Sequence, residues 1–509
     1  MYGAPGSSGP ARGCRRPRPA HWAVLLGAGV FLAGCASMPD VPDPDDGPEA
    51  ACRAFFHELD AQVASAGVRD GIGEPPEAFP YLRATRFLNS FHEQLGDAAV
   101  RGAWLDTAQE TDRAARSLEL RHLDAGAVDG LPMPETVAHA QEAIAHCGAL
   151  LREADALDAD HGPWREAADA LTVPDEYVTW QRAVGVYPIS RWFIRSGVAV
   201  WQSGVRESFD NETGDNEPAR RYRPPSAGTH HEAAGALLAD ASTNALGWPE
   251  LSSSQWQQVF EQFAPVIEVE ADAAYNRIGA PFLVEDGLPT VDTTQPTVYT
   301  YATATRYGDE TLIQLNYVWW FTERPLDHWF DLLGGRLDGL NLRFTLDGEG
   351  DVLLVESVHN CGCYHQHYPV QGLSPRESPD YAEPPLVLPG PQAPQSGERL
   401  RVRLEDGTHY VTHLAFAQVP DGGEAYVFAD YDRLRSVPVV NTGQRRSLFQ
   451  PDGLIAGSER RERWLFWVSG VPQAGTQRQY HRHATAFVGR RHFDAPDLLE
   501  RIYEREHDH

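Results

Sequence analysis

The chain has 509 residues and a formal net charge of −29 at pH 7. Its 43 basic residues are all arginines, which excludes Schiff-base enzymes, a P-loop lysine and a Ser-Lys dyad. The excess of acidic residues argues against nucleic acid and anionic membrane surfaces as partners. Because the acids are spread along the chain, the composition is typical of a protein adapted to high salt.

The N-terminal residues have the pattern of a bacterial export signal. Four arginines within residues 12–18 precede an apolar run at 22–34, which has the length of a signal-peptide core and is too short to span a bilayer. The run ends in LAGC, which resembles the lipobox, a motif whose cysteine is acylated and becomes the new N-terminus. We therefore predict a lipoprotein signal peptide over 1–34 and lipidation of Cys35.

The residues after the predicted lipidation site indicate where the protein is held. Ala36 and Ser37 follow the cysteine, with no aspartate, and in the usual sorting pattern of lipoproteins this favours the outer membrane. We expect the protein to face the periplasm and to contact the membrane through its lipid, since several acyl chains anchor firmly. Residues 35–50 are rich in proline and aspartate and are predicted to form a flexible tether.

The next part of the chain has helical periodicity. Apolar residues recur at helical spacing from residue 51 onwards, beginning with Phe55, Phe56, Leu59 and Val63. We predict a helical domain over 51–204. Its most apolar stretch, 184–201, contains Arg191 and Arg195, so a buried core segment is favoured over a membrane span.

Cysteine is sparse in this chain. Outside the predicted signal and the lipidated residue, the cysteines are Cys52, Cys147, Cys361 and Cys363. The first two lie on the first and a later predicted helix, and the predicted compartment is oxidising. We therefore predict a disulfide between Cys52 and Cys147, which closes a long loop and stabilises the fold by ~4 kcal/mol.

The second half of the chain has the two-residue period of strands. A polar, irregular segment at 205–232 is predicted as a linker or exposed loop, and 233–509 as a β-rich domain. Alternating apolar residues around Gly-Asp or Asp-Gly turns predict three hairpins, at 297–321, 340–359 and 399–418. The fold class predicted is α+β, with a helical N-terminal domain followed by a β-rich, mainly antiparallel C-terminal domain.

The sequence HNCGCYH follows directly after the predicted strand DVLLVESV. Loops at strand ends often carry functional sites, and thiolates and imidazoles are ligands of zinc and copper. We predict a zinc or copper site, although one residue between the cysteines is tighter than zinc-finger spacing. The predicted ligands are His359, Cys361, Cys363 and His365, with His483 from the later sequence YHRHATAFVGRRH.

Other interpretations of this loop stay open. Cys361 and Cys363 can form a strained, reducible disulfide, one of them can be a nucleophile activated by histidine, or the cluster can be structural. His367 adds a third imidazole nearby. In the later sequence, His481 and His492 are interpreted as polar positions that replace the absent lysine.

A group of acids offers a second candidate site. It consists of Glu323, Asp327, His328, Asp331 and Asp338, beside Trp319, Trp320 and Trp329. Paired carboxylates next to aromatic rings are typical of carbohydrate-active sites. In so acidic a chain such a group also arises by chance, so it ranks behind the Cys-His loop.

Five segments of the chain resemble a family of uncharacterised proteobacterial lipoproteins. They are YVTWQRAVGVYPISR, LIQLNYVWWFTERP, GGRLDGLNLRFTL, ESVHNCGCYH and GRRHFDAPDLLERIY. The resemblance spans most of the mature chain, implies that it recurs as one unit, and implies no activity or catalytic residue.

Three hypotheses about function follow from the sequence. The first is a lipid-anchored envelope protein with a metal-binding Cys-His loop that serves binding or metal-dependent hydrolysis. The second is a non-enzymatic structural or binding lipoprotein with a disulfide between Cys361 and Cys363. The third is a thiol- or carboxylate-dependent hydrolase.

Overall fold

The computed structural model describes residues 46–134, 137–211, 219–225 and 231–505. The predicted signal peptide, Cys35 and most of the predicted tether lie outside these residues. The α-helices are α1 (Pro48–Ala66), α2 (Arg86–Asn89), α3 (Ala98–His122), α4 (Ala125–Asp129), α5 (Ala140–Ala154), α6 (Trp164–Ala170), α7 (Thr179–Val184), α8 (Tyr187–Asn211), α9 (His231–Ala239), α10 (Ser253–Phe263), α11 (Arg463–Phe466) and α12 (Leu498–Ile502).

The strands begin where the first group of helices ends. They are β1 (Ala219–Arg223), β2 (Val266–Glu270), β3 (Ile278–Leu283), β4 (Pro289–Asp292), β5 (Thr297–Tyr307), β6 (Glu310–Arg324), β7 (Gly335–Leu346), β8 (Val352–His359), β9 (Gln366–Pro369), β10 (Leu373–Pro375), β11 (Leu386–Val387), β12 (Glu398–Leu404), β13 (Val411–Gln418), β14 (Glu424–Ala425), β15 (Val427–Asp430), β16 (Val437–Pro438), β17 (Arg445–Arg446) and β18 (Tyr503–Arg505). The predicted α+β class, helical first and mainly antiparallel afterwards, is confirmed.

The N-terminal helices enclose their own apolar core. The side chain of Asp97 caps α3 by accepting hydrogen bonds from two backbone N–H groups, which satisfies donors that a helix start leaves free. The predicted disulfide is confirmed: Cys52 of α1 and Cys147 of α5 are bonded across a separation of 95 residues. Both cysteines are fully buried in this core, so the disulfide joins two helices that already pack against each other.

The segment 184–201 is not the buried core segment that the sequence predicts. Within α8, Ile194 is buried, whereas Trp192 is 61% exposed and Phe193 is 77% exposed. The prediction is wrong because apolar residues surround the whole helix, and only one of its sides packs against the protein. The predicted linker 205–232 also contains regular structure, since it begins inside α8 and includes β1, which pairs with β2.

Two large sheets form most of the β-rich half, and β10-β18 and β16-β17 form two further two-stranded sheets among the described residues. The larger has the strand order β11-β9-β8-β7-β6-β3-β4, with β5 also paired to β6 and β15 paired to β5. The smaller has the order β13-β12-β2-β1-β14. The three predicted hairpins are confirmed as the antiparallel pairs β5–β6, β7–β8 and β12–β13.

The two faces of the larger sheet are covered by different parts of the chain. Helix α10 packs on one face, where Val259 and Phe263 join a core with Phe344 and Val355. On the opposite face, α12 and β18 cover Leu354 and its neighbours. The described residues between 46 and 505 belong to one compact unit. Among the described residues, no helix combines the length and the apolar character needed to cross a membrane.

Candidate metal centre

Ionisable side chains lie side by side on neighbouring strands of the larger sheet. Arg343 of β7 is the register partner of Glu356 of β8, and Glu356 is the register partner of His367 of β9. Because directly opposed residues point to the same face of a sheet, the strand register brings these side chains together. His365 precedes His367 by two residues, which places it on the same face.

The cluster forms a small triangle of possible ligand atoms. Oε1 of Glu356 lies 3.0 Å from Nε2 of His365 and 3.2 Å from Nε2 of His367. The two Nε2 atoms are 3.1 Å apart, and all three side chains are fully buried. Because zinc ligands lie about 2.0–2.2 Å from the ion at tetrahedral angles, neighbouring ligand atoms are about 3.3–3.6 Å apart, which a small outward movement of these three atoms would give. Glu356, His365 and His367 can therefore hold a metal ion.

Neighbouring groups orient two of these side chains. Arg343 donates to both carboxylate oxygens of Glu356, at 2.7 and 2.6 Å, and to the carbonyl of Phe493 at 2.7 Å. The Tyr503 hydroxyl lies 2.9 Å from Nδ1 of His367. Nδ1 of His365 is buried without a hydrogen-bond partner among the described residues. A ligating carboxylate and a ligating histidine are normally supported by such outer contacts.

The pKa values of the cluster favour metal-binding protonation states. Burial lowers the pKa of His365 well below its ordinary value, and it also lowers the pKa of His367. Burial raises the pKa of Glu356, but the charge of Arg343 and the hydrogen bonds with His365 and His367 outweigh burial and hold it well below its ordinary value. Neutral imidazoles and an ionised carboxylate are the forms that coordinate a metal.

The two cysteines of the predicted ligand set lie outside this group. Cys361 and Cys363 are both free and buried, so the alternative of a disulfide between them is wrong. The hydrogen bond with Cys361 raises the pKa of the Cys363 thiol well above its ordinary value, and burial raises it further. A protonated thiol is a poor nucleophile and a poor metal ligand. The raised pKa therefore argues against Cys363 as a nucleophile and against Cys363 as a metal ligand.

The predicted histidine ligands are also dispersed. Nδ1 of His359 lies 3.6 Å from Asp338, and Nε2 of His483 lies 3.1 Å from the carbonyl of Asn360. His359 is separated from Glu356 by three positions along β8, so the two side chains point to opposite faces. Of the predicted ligands His359, Cys361, Cys363, His365 and His483, only His365 belongs to the described group that can hold a metal.

The predicted carboxylate site is not assembled either. Asp338 is buried, with Oδ2 only 2.7 Å from Nδ1 of His409, whereas Glu323 and Asp327 are exposed. Trp319 and Trp320 are fully buried in the sheet. Trp319 and Trp320 point to opposite faces of β6, Asp338 belongs to β7, and Asp327 follows the end of β6. The acids of this segment therefore do not converge with aromatic rings on one accessible cleft.

The remaining histidines of the C-terminal cluster lie beside carboxylates. Nδ1 of His481 lies 2.9 Å from Asp494, which also pairs with Arg86 at 3.0 Å. Nε2 of His492 lies 3.3 Å from Asp175. Both imidazoles are thus partly buried and partnered, rather than the free surface positions that the sequence suggests.

A cavity of about 220 Å³ adjoins the cluster. Its lining includes Val198, Trp201, Cys363, His365, Leu386 and Glu462. Burial raises the pKa of Glu462 to about 7, although the charges of Arg324 and Arg460 partly oppose this. A carboxyl group that titrates near neutral pH inside a cleft is suited to proton transfer.

Comparison with known proteins adds no assignment, since no protein-family model, curated protein or solved structure matches the chain. The site is therefore defined by geometry. Sequence reasoning missed Glu356, which lies inside an apolar strand, and treated His367 as an accessory. The register of the β8–β9 hairpin would have identified both residues. Pairing residues outwards from the centre of the HNCGCYH loop places Glu356 opposite His367.

Proposed function

We propose that this protein is a zinc-binding protein of the bacterial cell envelope, with Glu356, His365 and His367 as the zinc ligands. The observation that supports this best is that the three ligand atoms carry too few protons for hydrogen bonds between every pair of them. An ionised carboxylate has none, and each imidazole Nε2 has at most one. Three mutual contacts of 3.0, 3.1 and 3.2 Å therefore cannot all be hydrogen bonds. One divalent cation in place of the protons attracts all three atoms.

The donor set favours zinc over copper. Two imidazole nitrogens and one carboxylate oxygen are a common protein ligand set of catalytic zinc, which keeps a further position open. Copper(I) prefers thiolate and thioether sulfur, and the buried thiols of Cys361 and Cys363 are not part of the group. Arg343 adds positive charge beside Glu356, so we expect zinc to bind less tightly than at a site without a neighbouring cation.

The proposed location is the periplasmic side of the outer membrane, with lipid on Cys35. The lipobox-like LAGC sequence supports the anchor. The bonded pair Cys52–Cys147 supports an oxidising compartment, because such disulfides are rare in the reducing cytosol. Mass spectrometry of protein from native membranes tests the anchor: acyl groups on an N-terminal Cys35 are expected, and an unmodified mature N-terminus contradicts it.

The zinc site is tested by native mass spectrometry with elemental analysis of the purified protein. We expect one zinc per chain in the wild type and none in His367→Gln. The matched control is His483→Gln, which changes an equally buried histidine outside the triangle, and Cys361→Ser tests the ligand set predicted from sequence. Both controls should keep the ion. A folded wild type that binds no zinc after dialysis against zinc, or a His367→Gln variant that keeps it, contradicts the proposal.

A second candidate function, metal-dependent hydrolysis, is favoured by Glu462. This carboxyl group and His365 line the same cavity, and zinc enzymes pair the ion with a nearby general base. The test is hydrolysis of an aryl ester probe such as p-nitrophenyl acetate. We expect zinc-dependent turnover that Glu462→Gln abolishes while the zinc content is unchanged. Turnover that survives zinc removal contradicts hydrolysis at this site.

A further inference from the structure

One part of the surface is unusually rich in exposed aromatic side chains. They lie on α7 and α8, on the segment 325–333 between β6 and β7, and on α11. We call this surface the aromatic face; its aromatic members are Trp180, Trp192, Phe193, Trp329, Phe330 and Trp464, each more than half exposed. Single exposed apolar residues are normal on soluble proteins, but a grouped set marks an interaction surface.

The segments of the aromatic face are joined to one another. The short 3-10 turn Trp467–Ser469 follows α11 and packs against α7 and α8. The segment 325–333 is tied to the start of α11, because the Arg461 guanidinium donates to the carbonyl of Trp329 and the Glu462 N–H donates to the carbonyl of Leu332 at 3.0 Å. The segments that carry the exposed aromatic residues are therefore contiguous.

The charge of this face differs from that of the whole chain. Residues 179–206 contain four arginines and no acidic residue, and the acids of α8, Glu207 and Asp210, lie among its last five residues, whereas the chain has 72 acids and 43 basic residues. Arg191, Arg195 and Arg206 are exposed on α8. The segment 325–333 adds the exposed Asp327 and the half-buried Asp331. The helical part of the face thus combines large apolar side chains with positive charge.

We propose that the aromatic face docks onto the surface of a phospholipid membrane. Tryptophan and phenylalanine insert at the boundary between headgroups and acyl chains, while arginines bind the phosphates. Helix α8 has arginines among its apolar residues, so it suits a position along the interface. The six aromatic members are neither proposed zinc ligands nor part of the lining of the cavity beside the zinc site, and the contact needs neither zinc nor the acyl groups proposed on Cys35.

The experiment is flotation of the chain Ala36–His509 with vesicles of phosphatidylethanolamine containing phosphatidylglycerol. This chain has no acylated cysteine, and it retains the compact unit to which the described residues belong. We expect the protein to float with the vesicles. Brominated acyl chains should quench part of its tryptophan fluorescence. The double variant Trp192→Ser/Phe193→Ser should bind roughly tenfold or more weakly, because burial of one large apolar side chain changes an equilibrium by about that factor.

The matched control is Val440→Ser, which changes an exposed apolar residue outside the segments of the face and should bind as the wild type does. Circular dichroism and zinc content verify that each variant is folded. A wild type that does not float, or a double variant that floats equally well, overturns the proposal. So does a dimer, seen by sedimentation of the vesicle-free protein and lost in the double variant, when no vesicle binding occurs: the face then binds a second copy of the chain.

Discussion

The buried carboxyl group of Glu462 makes the stability of the fold depend on pH in an unusual direction. Burial raises its pKa from an ordinary 4.5 to about 7. Between these values the native state keeps the proton that the unfolded chain has released. The free energy of unfolding therefore falls as pH rises from 4.5 through 7. One pKa unit corresponds to ~1.4 kcal/mol, so the ionised group costs the native state about 3 kcal/mol at pH 8.

The variant Glu462→Gln tests this reasoning because glutamine has a similar shape and no charge. We expect the variant to be more stable than the wild type by up to about 3 kcal/mol at pH 8. Near pH 4, where Glu462 is protonated, the two proteins should be about equally stable. Urea unfolding followed by circular dichroism at several pH values measures the difference. The control Glu142→Gln changes an exposed carboxylate on α5 and should show no such pH dependence.

Two results would refute the argument for Glu462. One is a variant that is no more stable than the wild type at pH 8, which would mean that the native state accommodates the ionised carboxylate at no cost. The other is a stability difference of the same size at pH 4 and pH 8, which would indicate a packing effect of the substitution. A gain in the free energy of unfolding that grows with pH in Glu462→Gln and is absent in Glu142→Gln would show that the proton on Glu462 causes the pH dependence.

Three further changes have expected outcomes. Replacing both Cys52 and Cys147 with serine should lower the free energy of unfolding by ~4 kcal/mol in urea without reductant, since the disulfide closes a long loop. Burial lowers the pKa of His483 from 6.5 to about 4, so the wild type should lose about 3 kcal/mol of stability as pH falls from 6.5 to 4. Acid titration by circular dichroism should show less of this loss in His483→Gln. Arg343→Met leaves Glu356 buried without its ion pair and should cost about 3–5 kcal/mol in thermal or urea unfolding; a smaller loss would mean that Glu356 becomes protonated.

The order of helices and strands follows from local patterns, and much of it could be predicted. Apolar spacing identifies α1 and α5, and the turns at Asp347-Gly348 and Asp406-Gly407 identify two hairpins. These features depend on neighbours in the chain, which a sequence displays directly. The exposure of α8 could not be predicted in this way. When apolar residues occur on every side of a helix, the sequence does not show which side packs against the protein. The negative net charge of the whole chain also gives no indication that residues 179–206 are locally positive.

The candidate metal centre was predicted near the correct loop but with the wrong ligands. The prediction chose ligands that are close together in the sequence HNCGCYH. The triangle instead consists of residues that face each other across neighbouring strands. Strand alternation sends His359 and Glu356 to opposite faces of the sheet, and the hairpin register brings Glu356 and His367 to the same one. Register and facing elements are non-local properties, so the sequence pattern alone did not reveal Glu356.

The support of the triangle by the C-terminal segment has a consequence for the timing of assembly. Phe493 contacts Arg343 across 150 residues, and Tyr503 contacts His367 across 136 residues. The complete surroundings of Glu356 therefore exist only after the ribosome has added β18. With the export proposed above, an unfolded chain would complete this site only after crossing the inner membrane, and the proposed zinc would then come from the periplasm rather than from the cytosol.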